Sequence, residues 1–261
     1  SSDEERQLFY FISDEQNPES YNLYSVNFKT HDFNQLTYAH YCKVYGFSED
    51  KRTLVYGDRY KSEGGMFNSR IYKRDLESGK EELLVDDEAW IYRFGWSGVT
   101  FGENGEWIFL DVVRENNRKC RNIIKIHLTN KDAKVLLPQK QESSNVSVLE
   151  KRTADGRLFF LNSQNGKMNI FAYDLASGDI NQVTNFDKEL NHVTSLRSDN
   201  CFYLLLRDPQ QASTQMRSFN VKTGKVTNPG GVRDEVWIPG NFFFLGGEVL
   251  SGFHTSIDSP P

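Results

Sequence analysis

Residues 169–186 read NIFAYDLASGDINQVTNF. An apolar run ends in the pair Asp174-Leu175, the turn residues Ser177-Gly178 follow, and a second short run comes after them. Aromatic and β-branched residues favour strands, and Gly supplies the positive φ that a tight hairpin needs. The phrase therefore predicts two short strands joined by a tight turn.

The polar-apolar pair recurs along the chain at a nearly constant spacing. The five pairs are Asn27-Phe28, Asp75-Leu76, His127-Leu128, Asp174-Leu175 and Asn220-Val221. Their apolar members lie 48, 52, 47 and 46 residues apart, and turn residues such as Ser78-Gly79 and Thr223-Gly224 follow them. A fixed period of this length indicates a repeat architecture.

A second set of turns runs out of phase with the first and has a similar period. Its members are Glu49-Asp50, Asn104-Gly105, Asp155-Gly156, Asp199-Asn200 and Gly246-Gly247. Each precedes a dense apolar run such as Leu158 to Leu161. Each unit therefore holds four short strands, here called a, b, c and d, of which b is apolar on both faces. Such a sheet must be covered on both faces.

We predict an all-β fold, a β-propeller of four-stranded antiparallel blades with about 48 residues per blade. Four complete blades are expected at about 40–86, 88–138, 145–186 and 190–229. Partial blades are expected at both ends, with Leu8 to Ile12 as a first strand b, and strands a and b near 236–245 and 248–255. Two arrangements stay open: the ends combine into one blade, or the chain is a segment of a larger ring.

Composition narrows the classes of partner. The 261 residues are 38% hydrophobic and 26% charged, which suits a globular chain of one or two domains with a sizeable core. The net charge of −5 gives no basic footprint for nucleic acid or an anionic membrane, and no apolar stretch is long enough to span a bilayer. Three cysteines, Cys42, Cys120 and Cys201, cannot all pair internally, and no signal peptide is visible. We expect neither nucleic acid nor membrane as a partner, and a cytoplasmic location, with a periplasmic or secreted one left open.

Candidate binding residues lie in the b–c loops, which vary, whereas the a–b and c–d turns are short. Function usually sits in variable loops on a rigid scaffold. The loop from Arg114 to Arg121 carries Arg114, Arg118, Lys119 and Arg121, which could hold a carboxylate or phosphate, or form a solvated loop tip. These four are the weak binding candidates.

No catalytic constellation is visible in the sequence. Gly95-Trp96-Ser97-Gly98 lacks the second Gly of a nucleophile elbow, and the five histidines share no metal-ligand spacing. We therefore expect no catalytic residue, no metal site and no cofactor in this chain.

The units resemble the repeats in the N-terminal propellers of the prolyl oligopeptidase superfamily (serine peptidase family S9, including acylaminoacyl-peptidase-like members) and the related TolB-type repeats. The resemblance rests on phrases such as residues 46–54 and 169–184. The tail GFHTSIDSPP, residues 252–261, looks like the segment with which such propellers approach their hydrolase domain. Residues 1–258 are then the propeller and residues 259–261 the start of a linker.

The resemblance implies a non-catalytic domain that gates peptide access to the active site of an α/β-hydrolase domain following in the polypeptide. The catalytic Ser, Asp and His belong to that second domain, so none is assigned to this chain. The dipeptidyl-aminopeptidase branch holds the substrate amine with a Glu pair, but the nearest stretch here, residues 89–93, has Arg93 where a Glu is wanted. The alternative is a TolB-like or stand-alone propeller that acts as a protein-interaction scaffold.

Overall fold

The structure is a computed structural model. It describes residues 2–3, 5–14, 18–65, 67–87, 92–94, 98–149, 155–163, 166–193, 200–208, 213–228, 243–245 and 248–250. The elbow-like residues 95–97, the stretch 89–91 and the tail 252–261, including the expected linker, lie outside the described residues.

The strands form five consecutive antiparallel sheets and a terminal hairpin. Sheet 1 contains β1 (Ser2–Asp3), β2 (Leu8–Ser13), β3 (Asn22–Asn27) and β4 (Phe33–Gln35). Sheet 2 contains β5 (Cys42–Phe47), β6 (Thr53–Lys61), β7 (Phe67–Asp75) and β8 (Glu81–Asp86). Sheet 3 contains β9 (Tyr92–Phe94), β10 (Thr100–Phe101), β11 (Trp107–Arg114), β12 (Asn117–His127) and β13 (Ala133–Val135), with β9 and β10 both pairing β11.

The last two sheets and the hairpin complete the strand order. Sheet 4 contains β14 (Ser147–Val148), β15 (Arg157–Asn162), β16 (Asn169–Asp174) and β17 (Ile180–Gln182). Sheet 5 contains β18 (Glu189–Val193), β19 (Cys201–Asp208), β20 (Ser213–Asn220) and β21 (Val226–Thr227), and β22 (Phe243–Leu245) pairs with β23 (Glu248–Leu250). One short 3-10 turn, Gln139–Gln141, precedes sheet 4.

The core consists of four apolar layers, one between each pair of consecutive sheets. In strand b of sheet 2, Leu54 and Tyr56 pack with Tyr10 of sheet 1, whereas Val55 between them packs with Ile108 of sheet 3. Successive strand residues point to opposite faces. Each sheet therefore has a leading face, turned toward the preceding sheet, and a trailing face, turned toward the following one.

The recurring polar-apolar pair forms the c–d turn. Oδ1 of Asp174 accepts hydrogen bonds from the backbone N–H groups of Ala176 and Ser177 at 2.9 and 2.8 Å. The N–H of Gly178, whose φ is +79°, donates to the carbonyl oxygen of Asp174 at 2.9 Å. These backbone hydrogen bonds lower the pKa of Asp174. A short polar side chain that accepts from its own following backbone is the known advantage of Asp and Asn in turns.

The same turn is built five times. The side chains of Asn27, Asp75 and Asn220 accept equivalent bonds, and His127 uses Nδ1. The N–H of the apolar member then donates to the carbonyl of the residue just before strand b, as Leu175 does to Gly156 at 2.9 Å. This bond joins the two sets of turns physically, which explains why both follow one period.

A buried Asn at the start of strand c holds the end of strand d. Oδ1 of Asn169 accepts from the N–H of Phe186 at 2.9 Å and from the hydroxyl of Thr184 at 3.2 Å. Oγ1 of Thr184 in turn accepts the N–H of Ile170 at 2.9 Å. We call this arrangement the Asn clasp. It ties strand c to the end of strand d, at the end of the sheet opposite the c–d turn.

Sheet 1 repeats the Asn clasp. Asn22 accepts from the N–H of Ala39 at 2.7 Å and from the hydroxyl of Thr37 at 3.0 Å. The stretch NLYSVNFKTHDFNQLTYA, residues 22–39, aligns without a gap on residues 169–186. The turn residues alone do not reveal this match, because the Asn and Thr of the clasp lie outside the turn.

Polar contacts also bridge sheets 2 and 3. Nζ of Lys73 donates to the carbonyl oxygen of Leu128 at 2.7 Å. The carboxylate of Glu82 lies 2.9 Å from Nζ of Lys131 and 3.1 Å from Nζ of Lys73. Hydrogen bonds from Lys131 and then Lys73 lower the pKa of Glu82 to about 2. The lysines therefore favour the ionised carboxylate between the two sheets.

The predicted all-β architecture of four-stranded antiparallel units is confirmed, with two differences: sheet 3 has a fifth strand, β9, and the first unit is complete. Ser2 and Asp3 pair with Phe9 and Leu8, so the first unit is four-stranded and not partial. A strand of two residues is too short to show a periodicity, so the sequence could not reveal it. If the two ends of the chain combined into one blade, a C-terminal strand would pair with β2 as its strand a. In the structure β1 already pairs with β2 at that position.

Candidate functional site: the b–c and d–a loop face

The b–c and d–a connections lie on one side of the stacked sheets, because neighbouring strands alternate in direction. We call this side the loop face. Strands b and c are long in sheets 2 and 3, with 9 residues each in β6 and β7, and 8 and 11 in β11 and β12. In sheet 4 both have 6 residues. In sheet 5 both have 8 residues, so the hairpins of sheets 2, 3 and 5 extend further at the loop face than that of sheet 4.

A buried carboxylate holds an exposed histidine on this face. Oδ1 of Asp58 accepts from the N–H of His40 at 2.7 Å and of Tyr41 at 3.2 Å. Nδ1 of His40 lies 3.1 Å from Oδ2 of Asp58, and the imidazole is 72% exposed. A proton on Nδ1 suits this contact and leaves Nε2 as an acceptor. Strand b and the preceding d–a connection thus fix the position of His40.

An ion pair between Arg70 and Asp86 lies beside this histidine. Nε of Arg70 contacts Oδ2 of Asp86 at 2.8 Å, and this hydrogen bond raises the pKa of Arg70. The guanidinium lies 4.0 Å from the ring centroid of Tyr60, a cation–π distance. The rings of His40 and Tyr60 are 6.2 Å apart. The four side chains form one polar and aromatic cluster on the loop face.

An open cavity borders this cluster. Its volume is about 440 Å³. It is lined by Ser20, Asn22, Tyr24, Gln35, Tyr38, Ala39 and His40. Hydroxyl, amide and imidazole groups of this kind can hydrogen-bond the backbone of an extended peptide.

The predicted basic loop is largely engaged in ion pairs. Nη2 of Arg114 lies 3.0 Å from Oε1 of Glu142, and Nη1 of Arg121 lies 3.5 Å from Oδ2 of Asp111. Both carboxylates are buried, and burial raises the pKa of Glu142. Lys119 is exposed, and the side chain of Arg118 lies outside the described part. Arg114 and Arg121 thus compensate buried negative charge, and anion binding by this loop stays a prediction.

The anchoring residues were missed by sequence reasoning. Asn162 donates to the carbonyl of Gln141 at 2.9 Å and accepts from the hydroxyl of Ser143 at 2.7 Å, so it anchors the d–a connection as Asp58 does. Asp58, Asp111 and Asn162 are buried polar residues within dense apolar strands. A buried polar residue needs a hydrogen-bond partner. An Asp or Asn within a dense apolar strand b could therefore have predicted an anchoring contact.

Among the residues that the structure describes, no group of three or more His, Cys, Asp or Glu side chains could hold a metal ion. The same part of the chain contains no helix of the length and apolarity that a membrane crossing requires.

Comparison with known proteins defines the fold. The sequence matches no protein-family model and no curated protein. The structure is similar to TolB from Acinetobacter baumannii, with a TM-score of 0.61 and 15% identity over 84% of this chain and 51% of that one. It is similar to an oligogalacturonate lyase from Vibrio parahaemolyticus, with a TM-score of 0.65 and 11% identity over 84% and 61%. It is also similar to the acylaminoacyl peptidase of Pyrococcus horikoshii, with a TM-score of 0.60 and 13% identity over 85% and 36%.

These matches confirm the predicted resemblance in fold, a β-propeller with TolB-like and S9-peptidase neighbours. Identities of 11–15% support the fold alone, since one fold hosts many functions. The chain spans about half the length of the TolB structure and about a third of the peptidase.

Proposed function

We propose that this chain is a non-catalytic β-propeller domain that gates the access of peptides to the active site of an S9-like serine peptidase. The catalytic α/β-hydrolase domain follows Pro261 in a longer, cytoplasmic polypeptide. One observation carries the proposal: the match to acylaminoacyl peptidase covers 85% of this chain but 36% of the peptidase. A polypeptide of the peptidase's length has room for a second domain.

The loop face supports a gating role through its rigidity. Buried polar groups of strand b, Asp58 and Asn162, fix the d–a connections by hydrogen bonds to backbone and side-chain atoms. Loops that keep a fixed spacing are what a rim needs if it is to admit extended peptides and stop folded domains. The weak candidates for contacting a peptide carboxylate are the basic residues of the b–c loop in sheet 3, Arg114, Arg118, Lys119 and Arg121.

The reading frame beyond Pro261 tests the proposal. We expect about 250 further residues that carry a Gly-x-Ser-x-Gly elbow after a strand, followed by Asp and then His. The full polypeptide should cleave short peptides and spare the same sequence inside a folded protein. A stop codon soon after Pro261 would refute this. The 261-residue chain alone should not react with a fluorophosphonate probe, and serine-specific labelling of it would refute the non-catalytic role.

The alternative is a TolB-like or stand-alone propeller that acts as a protein-interaction scaffold. The larger share of TolB that this chain covers, 51% against 36% of the peptidase, supports this alternative. A reading frame without a hydrolase domain selects this alternative.

A further inference from the structure

A cross-strand pair near the c–d turn can be compared in all five sheets. It consists of the strand c residue two places before the polar-apolar pair and the strand d residue opposite to it. Three sheets carry neutral residues at both positions: Ser25 and Asn34, Ala172 and Asn181, and Ser218 and Thr227. Sheet 2 carries an ion pair, in which Nζ of Lys73 lies 3.1 Å from Oε2 of Glu82. Sheet 3 carries two cations, Lys125 and Lys134.

The two lysines of sheet 3 repel each other. Side chains directly opposite in an antiparallel pair have Cβ atoms about 4.5–5.5 Å apart, and like charges there are destabilising. Within the part of the chain that the structure describes, neither lysine side chain forms a hydrogen bond or an ion pair. The carboxylate of Asp132, two residues before Lys134, instead accepts from Nδ2 of Asn130 at 2.8 Å. Burial, and then the charge of Lys134, lower the pKa of Lys125. A negative charge placed between these lysines would relieve their repulsion.

Two further N–H donors adjoin the lysines on the same face of sheet 3. Nζ of Lys125 lies 4.0 Å from the ring centroid of Trp107, and the ring of His127 lies 4.5 Å from that of Trp107. Nδ1 of His127 accepts two backbone N–H groups of the c–d turn at 3.1 and 3.3 Å, so Nε2 carries the proton of the neutral imidazole. The indole of Trp107 likewise has one N–H donor and no acceptor. We call these four side chains the donor cluster: Trp107, Lys125, His127 and Lys134.

The donor cluster lies at the edge of the apolar layer between sheets 3 and 4. Trp107 packs in that layer together with Leu175 and Ile180 of the following unit. Lys134 is exposed, whereas Lys125 and Trp107 are half-buried. An anion at this edge is therefore reached from solvent and has apolar groups on one side. Such surroundings strengthen its attraction to the ammonium groups, because they lower the local dielectric constant.

We propose that the donor cluster binds a phosphate group. A phosphate monoester carries about −1.5 to −2 charges at pH 7 and three acceptor oxygens, which suits two ammonium groups and two neutral N–H donors. A carboxylate has one charge and two oxygens, so it makes fewer of these bonds. Sheet 2 contains the intramolecular counterpart of such a site, because the anionic Glu82 lies between Lys73 and Lys131 at 3.1 and 2.9 Å. In sheet 3 the position of Glu82 is taken by Lys134, and the anion has to come from outside the sheet.

The donor cluster lies toward the short a–b and c–d turns, since Trp107 begins β11 and His127 ends β12. This is the end of the sheets opposite to the loop face. A phosphate site there is independent of peptide gating at the loop face. The phosphate group can belong to a free phosphorylated small molecule or to a phosphorylated side chain of a protein, and the two sources differ in what surrounds the phosphate.

Isothermal titration calorimetry of the protein at low ionic strength tests the proposal. The titrants are inorganic phosphate, a phosphoserine peptide and the same peptide without its phosphate. Lys134→Glu gives sheet 3 the Lys–Glu pair of sheet 2, and Lys134→Ala removes the charge alone, so that one variant remains if the other does not fold. The control is Lys222→Glu, which makes the same change of charge at an exposed lysine in the c–d turn of sheet 5. Circular dichroism checks that each variant is folded.

We expect both phosphate-containing titrants to bind. Each Lys134 variant should weaken binding by about tenfold or more, the usual effect of losing a hydrogen bond from a charged group, whereas Lys222→Glu should change it by less than about twofold. In an NMR titration, the pKa of Lys125 should rise in Lys134→Glu and in the phosphate-saturated protein, because a negative charge then replaces or opposes the second cation.

The comparison of titrants assigns the source. Tighter binding of the phosphopeptide than of inorganic phosphate would support a phosphorylated side chain, and equal or weaker binding of the phosphopeptide would support a free phosphate compound. Three results would overturn the proposal: no binding of either phosphate up to about 10 mM, equal binding of the unphosphorylated peptide, or equal weakening by Lys134→Glu and Lys222→Glu.

Discussion

Replacing Asn169 with leucine removes the acceptor at the centre of the Asn clasp. The buried N–H of Phe186 and the buried hydroxyl of Thr184 then lose their bonds of 2.9 and 3.2 Å. An unsatisfied buried polar group costs about 1–3 kcal/mol, so with two such groups we expect Asn169→Leu to lower the free energy of unfolding by about 2–6 kcal/mol. In a chain of this size each kcal/mol corresponds to roughly 2–4 °C in melting temperature.

Urea unfolding followed by circular dichroism measures this loss as a lower midpoint at an unchanged slope. The matched control is Asn181→Leu, the same substitution at an exposed position on β17, which should change stability by less than about 0.5 kcal/mol. Asn22→Leu should reproduce the loss in sheet 1. If Asn169→Leu is no more destabilising than Asn181→Leu, the clasp does not hold strand d and the reasoning fails.

Three other changes probe the packing and the charges. A Cβ on Gly46 would lie 2.6 Å from the carbonyl oxygen of Val99, so Gly46→Ala should cost about 1–3 kcal/mol in urea unfolding. Gly64→Ala should not, because its Cβ would lie at an ordinary contact distance, 3.9 Å, from Oγ of Ser62. Because the pKa of Glu82 falls from 4.5 to about 2 on folding, its contribution is present above pH 4.5 and lost as the pH falls to 2. At neutral pH the wild-type chain should be more stable than Glu82→Gln by about 0.5–1 kcal/mol, a small value because this group is partly exposed. Unfolding measured as a function of pH should show this difference vanish between pH 4.5 and 2, and a constant difference would contradict the assignment. Burial raises the pKa of the Cys42 thiol to about 12, so Ellman's reagent should modify it only after unfolding, and reaction of all 3 cysteines in the native protein would disprove its burial.

The loop face could be predicted only in outline. The variable length of the b–c loops predicts that this side carries function, and the structure gives the hairpins of sheets 2, 3 and 5 their extra length there. The partners could not be predicted, because Arg114 meets Glu142 across 28 positions of sequence and Asp58 meets His40 across 18. Such pairs depend on how a d–a connection crosses the top of strand b, and no local pattern encodes that path.

The sequence by itself determined the repeat, its strands and its turns, because each of these depends on groups a few residues apart. Asp174 makes its turn with the next four residues, and the looser turns at His31 and Lys131 take the same positive φ without glycine. Only the tertiary structure decided which face of each sheet is covered. Strand b is apolar on both sides in every unit, so Phe9 and Leu54 look alike in sequence. One is 42% exposed and the other is buried, because burial depends on the neighbouring sheet and not on the strand itself.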